Sequence, residues 1–286
     1  MARVSTRRRT LMIDGEGRRR ERMELLAGEE PLEVRVNGRS LAVTMRTPGH
    51  DFDLAAGFLV AETVVHAREQ IAQISYGPGV DASGMATYNI VDVTLAPGVP
   101  PPAASAERAV YTSSSCGICG VSSIEEVTKE PAFPRRSADG VPSAGEQLVP
   151  EVLLALPGAL RERQSQFDKT GGTHAAGLFT TGGELLCLRE DVGRHNAVDK
   201  VVGWALRDGR LPLRPAVLQV SGRASFELVQ KAHLAGIETL AAVSAPSALA
   251  VELADDAGMT LIGFSRGDRL TVYAGAGRIA GAAAPG

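Results

Sequence analysis

Apolar and polar residues alternate in the first third of the chain in a way that predicts a small mixed unit. The stretch EVRVNGRSLAVTM reads as two strands joined at Asn37-Gly38, a dipeptide that favours a tight hairpin turn. Residues 48–65 place apolar side chains at helical spacing, and Asp51 or Asp53 is positioned to cap that helix. Two further strand-like segments follow, at 71–76 and 88–95. We therefore expect an α+β subdomain here.

The second half of the chain alternates between helix-like and strand-like segments. Residues 151–165 predict a helix that Pro157 kinks or breaks, and residues 175–189 predict a hairpin turning at Gly182-Gly183. Asn196 is positioned to cap the next helix. The later segments are strands at 216–222, 239–244, 260–264 and 269–273 and helices at 225–235 and 247–257. This alternation predicts an α/β domain with a mixed, largely parallel sheet and helices on both faces.

Two irregular stretches rich in proline divide the chain. The first is APGVPPPAASA at 96–106, and the second covers roughly 128–147. The arginine-rich start is interpreted as a solvated, disordered tail. The predicted organisation is a basic tail at 1–30, the α+β subdomain at 31–105, a linker with two cysteines at 106–148 and the α/β domain at 149–280.

Composition narrows the classes of function. The chain has 286 residues, 44% of them hydrophobic and 22% charged, which is ordinary for a globular protein. Its net charge of −3 gives no global positive field for nucleic acid, although the basic start leaves a contact with nucleic acid or an acidic partner open. It has no apolar run long enough to span a membrane and no signal-peptide pattern. Three cysteines do not indicate a disulfide scaffold, so we expect a cytoplasmic protein.

Three of the predicted strands end in similar residues, in VSGRAS, VSAPS and GFSRGD. Parallel sheets bind ligands at the carboxyl ends of their strands, where small residues let a ligand approach the backbone. Amides of the following helices suit an anion, and Arg223 and Arg266 add positive charge. This pattern predicts a site for a phosphate or a nucleotide, without the motif of a P-loop. The alternative is a set of ordinary loops that need small turn residues.

A second polar cluster flanks the predicted hairpin at 175–189. FDKTGGTH precedes the hairpin and EDVGRHN follows it, so both lie at one end of it. The titratable and charged members are Asp168, Lys169, His174, Glu190, Asp191, Arg194 and His195. So many titratable groups together indicate a polar site. Alternatively, His174 and His195 satisfy local backbone groups. Cys187, within the apolar run ELLCLR, is interpreted as a core residue.

The stretch SSSCGICG carries Cys116 and Cys119 between the two irregular stretches. A structural zinc site needs four ligands, and neither Cys187 nor the histidines have matching spacing, although a dimer could share ligands. A zinc deaminase would need a His-x-Glu and a proline before the pair, and both are absent. A redox pair at the start of a short helix stays open. A reachable thiolate that accepts sulfur as a persulfide and passes it on is the other interpretation.

Several long stretches, in the same order, resemble the FdhD family, the sulfur carriers required by formate dehydrogenases. They extend from about residue 30 to 280. They are LAAGFLVAE, TSSSCGICG, FDKTGGTHAAGLF, REDVGRHNAVDKVVG, VSGRASFELVQKA and SAPSALAVELADDAGMTLIGFSRGDRLTVY. The resemblance implies a cytidine-deaminase-like fold for the C-terminal domain and a homodimer.

The resemblance also implies a mechanism. A cysteine desulfurase would load a persulfide onto Cys116, with Cys119 as its partner. The sulfur would then pass to the molybdenum or tungsten of bis-molybdopterin guanine dinucleotide, which is destined for formate dehydrogenase and which GDP would mimic. The stretch FSRGDR matches the family's cofactor-binding segment. The expected cofactor-binding residues, including those from the strand ends, are His195, Ser221, Gly222, Arg223, Phe264, Ser265, Arg266, Gly267, Asp268 and Arg269.

One position departs from the family pattern. Many relatives have a lysine after the cysteine motif, where this chain has Val121. A nearby cation favours a thiolate, so its activation would fall to a helix end or to a bound partner. Two other functions remain as alternatives. One is a chaperone that binds the cofactor without sulfur transfer of its own, and the other is a thiol-disulfide oxidoreductase.

Overall fold

The computed structural model describes residues 4–80, 84, 86–102, 129–133 and 147–281. The chain begins with a two-stranded antiparallel hairpin, β1 (Ser5–Ile13) and β2 (Arg19–Ala27). The prediction of a disordered tail was therefore wrong for this segment. Asp14 explains the difference, because its Oδ1 accepts hydrogen bonds from the amides of Glu16 and Arg18, each at 3.0 Å, and so holds the turn.

A four-stranded sheet follows, built from β3 (Glu30–Val36), β4 (Arg39–Arg46), β5 (Ile71–Tyr76) and β6 (Ile90–Leu95) in the order β4-β3-β6-β5. The hairpin predicted at Asn37-Gly38 is confirmed, since both residues have the positive φ of a tight turn, 50° and 78°. The pairing of β3 with β6 is parallel, and the other two pairings are antiparallel.

Helix α1 (Asp51–Ala61) crosses from the small sheet to the rest of the molecule. The sequence predicted Asp51 or Asp53 as its cap, but the N-cap position is His50. Both carboxylates are used elsewhere, because they bind the buried Arg46 and the partly buried Arg189. Asp51 accepts two hydrogen bonds from Arg46, at 3.0 and 3.2 Å, and Asp53 accepts from Arg189 at 2.9 and 3.1 Å.

The C-terminal half is an α/β unit around a six-stranded sheet in the order β12-β11-β10-β9-β7-β8. Its strands are β7 (His174–Phe179), β8 (Leu185–Asp191), β9 (Val217–Val220), β10 (Thr239–Ala242), β11 (Thr260–Arg266) and β12 (Arg269–Ala274). Its helices are α2 (Pro150–Arg161), α3 (Ser165–Thr170), α4 (Arg194–Arg207), α5 (Phe226–Leu234) and α6 (Ala248–Asp256). The sheet is mixed, as predicted: four of its six strands point the same way, and β7 and β12 oppose them.

Helices cover both faces of this sheet. The face toward α2 buries Phe179, Val217 and Ile262 against leucines of the helix, whereas the other face buries Leu178 and Leu218 under α4 and α5. Helix α2 runs through Pro157 without a break, and its stripe of buried leucines packs on the sheet. It ends at Arg161 and not at residue 165.

The two sheets share one hydrophobic core through an antiparallel contact of α1 with α4. Gly57 lies against Asp199, and Gly203 lies against Asp53, so closely that a Cβ on either glycine would collide with the facing carbonyl oxygen. The backbones can approach this far only because both residues are glycine. None of the helices in the described part of the chain is long and apolar enough to cross a membrane. The cytidine-deaminase-like arrangement and the domain boundaries between residues 31 and 280 stay predictions.

Candidate functional site

The carboxyl ends of β9, β10 and β11 are joined by backbone hydrogen bonds into one continuous edge. The amide of Ser244, after β10, donates to the carbonyl of Gly222, after β9, at 3.3 Å. The amide of Phe264 donates to the carbonyl of Ser244 at 3.2 Å. The loops that the sequence singled out at 221–223 and 264–269 therefore belong to the same edge, which we call the strand-end edge.

Of the predicted ligand residues at this edge, two arginines form no ion pair within the described residues, and one serine is used by the fold. Arg223 is exposed and has no ion pair with a residue that the structure describes. Arg266 is also exposed and lies with its guanidinium 5.6 Å from the ring centroid of Phe264. The hydroxyl of Ser221 is instead used internally, since its Oγ accepts the amide of Ala175 at 2.9 Å.

The segment FSRGDR forms a tight hairpin between β11 and β12. Gly267 has a φ of 63°, in the left-handed region that glycine tolerates, and Arg266 pairs with Arg269 across the turn. Gly267 and Asp268 form the exposed tip. Ser265 differs from its neighbours, because it is fully buried and its Oγ donates to Gln219 at 3.4 Å. Its side chain holds the sheet together at this point.

His195 lies inside the molecule next to the edge. Its side chain is 3% exposed, and its Nε2 lies 3.5 Å from the Ser225 hydroxyl and 3.8 Å from Oε2 of Glu227. The interaction with the imidazole of His195 is the main reason why the pKa of Glu227 falls from 4.5 to about 2. His174 lies at the start of β7 beside Gly222, and burial, followed by the charges of Arg194 and His195, lowers its pKa.

Most of the remaining polar cluster is structural. Glu190 accepts the amides of Gln166 and Phe167, each at 2.8 Å, and so caps α3 from a distance. Asp191 is fully buried and forms an ion pair with Lys200 at 2.7 Å. Both carboxylates were expected in a polar site, but their oxygens are used by the protein itself.

Asn196 belongs to the same structural group and is not the cap of α4. Its amide nitrogen donates to the carbonyl of Met45 at 2.7 Å and to Asp191 at 3.0 Å. The cap position is Gly193. Asp191 also accepts the amide of Thr47 at 3.0 Å. These bonds tie the end of β8 to the small sheet.

Cys116 and Cys119 lie outside the described residues, but the chain that follows them is anchored. Lys129 donates to the carbonyl of Ala61 at 2.8 Å and forms an ion pair with Glu62 at 2.8 Å. Both residues lie at the end of α1, which is antiparallel to α4. Lys129 therefore lies near the beginning of α4, where His195 lies. Cys187 is buried in the core, as predicted, and burial raises the pKa of its thiol to about 11.

A cavity of about 530 Å³ adjoins the strand-end edge on the α2 side of the sheet. It lies between α2, α3 and the ends of β7, β9 and β10, and Ser221 and His174 are among its lining residues. Sequence reasoning did not assign two other lining residues: Gln164 carries no motif of its own, and Phe167 was noted only as the first residue of FDKTGGTH. The glycine pair in FDKTGGTH was the available indication, since Gly171 and Gly172 line the same space.

Fold and site together define an α/β protein with two exposed arginines and an adjoining cavity along one strand-end edge. The model of the FdhD/NarQ family matches residues 27–280, and the chain belongs to this family. It is 55% identical over 280 residues to the sulfur carrier protein FdhD of Streptomyces avermitilis, covering 98% of this chain and 97% of that protein. It is 54% identical over 261 residues to the protein of the same name from Mycobacterium tuberculosis, covering 90% and 92%.

A solved structure shares the fold. It is that of a protein assigned as a formate dehydrogenase accessory protein from Desulfotalea psychrophila, with a TM-score of 0.75 and 24% identity. The alignment covers 97% of this chain and 100% of that one. The α/β architecture predicted from the sequence is therefore confirmed at the level of the whole fold.

Proposed function

We propose that this protein is an accessory sulfurtransferase that carries persulfide sulfur to a molybdenum or tungsten cofactor of the bis-molybdopterin guanine dinucleotide type. The observation that carries the proposal is the pair Cys116 and Cys119 in a chain whose relatives, at up to 55% identity, are named sulfur carrier proteins. The donor would be a cysteine desulfurase, and the cofactor would be needed for formate dehydrogenase activity. The protein would act in the cytoplasm as a homodimer.

Loading is a thiol exchange at sulfur. The Cys116 thiolate attacks the outer sulfur of the persulfide on the desulfurase. A new sulfur–sulfur bond forms at Cys116, the sulfur–sulfur bond of the donor breaks, and the cysteine of the donor leaves as a thiolate. The step needs neither an oxidant nor a reductant, because one sulfur–sulfur bond replaces another.

Delivery uses the second cysteine. Attack of the Cys119 thiolate on Cys116 Sγ forms a disulfide and expels the outer sulfur as sulfide, which the metal of the cofactor accepts. The two electrons that reduce the carried sulfur come from the two cysteines. A cellular thiol reductant must then reopen the disulfide before another cycle.

The described residues suit a nucleotide-bearing cargo. Arg223 and Arg266 are exposed at one edge and have no carboxylate partner among the residues that the structure describes, and phosphate groups bind such arginines well. Lys129 anchors the chain after the cysteine pair near His195 and therefore near this edge. These placements support bringing the sulfur carrier segment and the cargo to the same side of the molecule.

The test is to incubate the full-length protein with a cysteine desulfurase and cysteine and to measure its intact mass. We expect a gain of about 32 Da, one sulfur, that a thiol reductant removes. Cys116→Ala should show no gain, whereas Cys119→Ser should load but not release. If wild-type protein gains no mass, the proposal fails. Cargo binding without that gain would support the chaperone, and disulfide reduction without a desulfurase would support the oxidoreductase.

A further inference from the structure

The hairpin of β1 and β2 carries apolar side chains that no described part of the chain covers. Leu11, Ile13 and Met23 are 54%, 57% and 60% exposed. They share one face of the hairpin, because Leu11 and Ile13 alternate along β1 and Met23 pairs with a β1 residue of the same phase. An isolated two-stranded hairpin is marginally stable at best in water. This face, which we call the arm face, is therefore expected to pack on another surface.

The arm face is also basic. Arg7 and Arg9 continue the same alternation along β1 and are exposed. Arg7 forms no ion pair with a residue that the structure describes, and Arg9 lies 3.5 Å from the exposed Glu21. The whole chain has a net charge of −3 although its first 28 residues are rich in arginine, so the rest of the chain is acidic. A basic apolar face complements a surface that presents carboxylates beside apolar side chains.

Helix α6 presents such a surface. Its buried residues, Ala250 and Ala254, face the core. The opposite side of the helix exposes Leu249, at 51%, with Glu252 and Asp256 three and seven positions further on. The two carboxylates form no ion pair within the described residues, and the helix contains no basic residue. The outer side of α6 therefore matches the arm face in apolar character and opposes it in charge.

The hairpin and α6 of one chain lie on opposite faces of the six-stranded sheet. Strand β2 packs on α3, on the α2 side, where Ala27 approaches Gly172, whereas α6 packs on α5. Both begin beside the strand-end edge, since Gly172 lines its cavity and the amide of Ser247, the N-cap of α6, donates to the carbonyl of Ala224 at 3.0 Å. Strands of this length extend about 30 Å. A second copy that faces this edge would therefore bring its α6 within reach of the hairpin.

We propose that the hairpin is an exchanged arm whose arm face packs on the outer side of α6 in a second copy of the chain. In a twofold arrangement each copy gives one arm and receives one, so the assembly closes as a dimer. The inference rests on the homodimer of the proposed function and names the surface that forms it. The arm lies before residue 27, where the match to the family model begins.

The experiment is analytical ultracentrifugation of the full-length protein and of two charge-reversed variants. Arg7→Glu with Arg9→Glu should weaken the dimer roughly hundredfold, because like charges then meet at both contacts. Glu252→Arg with Asp256→Arg should do the same. An equimolar mixture of the two variants should regain a dimer of nearly wild-type affinity, since every arm then meets an α6 of opposite charge. A mixture that stays monomeric, although both variants are folded, would contradict the exchange.

Matched controls lie on the other face of the same hairpin. Arg8→Glu with Arg20→Glu makes the same change in charge there and should leave the dimer intact. Leu11→Ser should weaken the dimer roughly tenfold by loss of apolar contact, whereas Leu26→Ser, at a side chain 46% exposed on the other face, should not. Equal effects on the two faces would show that the arm face has no special role.

A measurement on wild-type protein covers the case in which a variant does not fold. Hydrogen exchange should slow in β1 and α6 together as the protein concentration rises through the dimer dissociation constant. The inference is wrong if the dimer forms without protecting both elements, or if the protein stays monomeric. Protection of the hairpin in a monomer by vesicles of anionic lipid would assign the arm face to a membrane surface instead. Sulfur loading on Cys116 is measured by mass and is decided independently of all these outcomes.

Discussion

The polar groups at the junction of the two sheets have partners within the protein, whereas the described arginines of the strand-end edge do not have ion-pair partners. At the junction, the buried Asp191 has an ion pair and three hydrogen bonds, and the fully buried Arg46 is bound by Asp51 and by backbone oxygens. At the strand-end edge, Arg223 and Arg266 are exposed and form no ion pair within the described chain. Polar groups that satisfy one another hold the fold, whereas polar groups left unsatisfied are available to a ligand.

The largest effect should come from breaking a buried pair at the junction. Lys200→Met leaves the carboxylate of Asp191 without its cation inside the protein, so we expect a loss of about 3–5 kcal/mol in the free energy of unfolding. Urea denaturation measures it. Lys129→Met removes the same chemical group from the more exposed pair with Glu62 and should cost about 1 kcal/mol or less. Equal losses for the two variants would contradict the contrast between the buried pair at the junction and a more exposed pair.

Substitutions at the strand-end edge should reduce ligand affinity and leave the free energy of unfolding nearly unchanged. Arg223→Gln and Arg266→Gln are each expected to weaken GDP binding roughly tenfold, because each removes a charge-assisted contact to phosphate. The free energy of unfolding should stay within about 0.5 kcal/mol of wild type, since both arginines are exposed and neither has an ion pair with the described residues. Arg19→Gln in the N-terminal hairpin is the control for loss of one exposed positive charge. Destabilisation without loss of affinity would show that these arginines are structural after all.

The smallest effect concerns Glu227, which lies between the two regions. Its lowered pKa means that its ionised form stabilises the folded state above pH 4.5, and that this contribution is lost as the pH falls from 4.5 to about 2. Because the group is partly exposed, we expect on the order of 1 kcal/mol. The measurement is the difference in unfolding free energy between wild type and Glu227→Gln across that pH range. A difference that does not change with pH would rule out the pairing with His195.

Local sequence features predicted most of the elements but not their capping. Asn37-Gly38 and Gly182-Gly183 gave correct hairpins, because the backbone of a tight turn depends on the residues within it. Asp51 and Asn196 were assigned as caps from their positions beside helices. Both are instead bound by groups that are distant or buried, and no local rule can weigh those against a cap.

The candidate site was also predicted from the sequence only in part. The small residues after three strands correctly indicated one edge, because parallel strands end together. Glu190 and Asp191 were expected there, yet Glu190 caps α3 from 23 and 24 residues away and Asp191 binds Thr47 at a separation of 144 residues. The position of Gln164 in the wall of the cavity could not be predicted, since a lone glutamine before a short helix has no distinctive pattern.

The sequence by itself determined the order and type of most elements after residue 30, the cysteine pair and the family, because each depends on residues close together in the chain or on matching stretches. Only the tertiary structure decided which polar side chains are bound by other groups of the protein and which are exposed to a ligand. That outcome depends on partners brought together by the crossing of α1 and α4 and by the meeting of strand ends, and such pairings have no signature in local sequence.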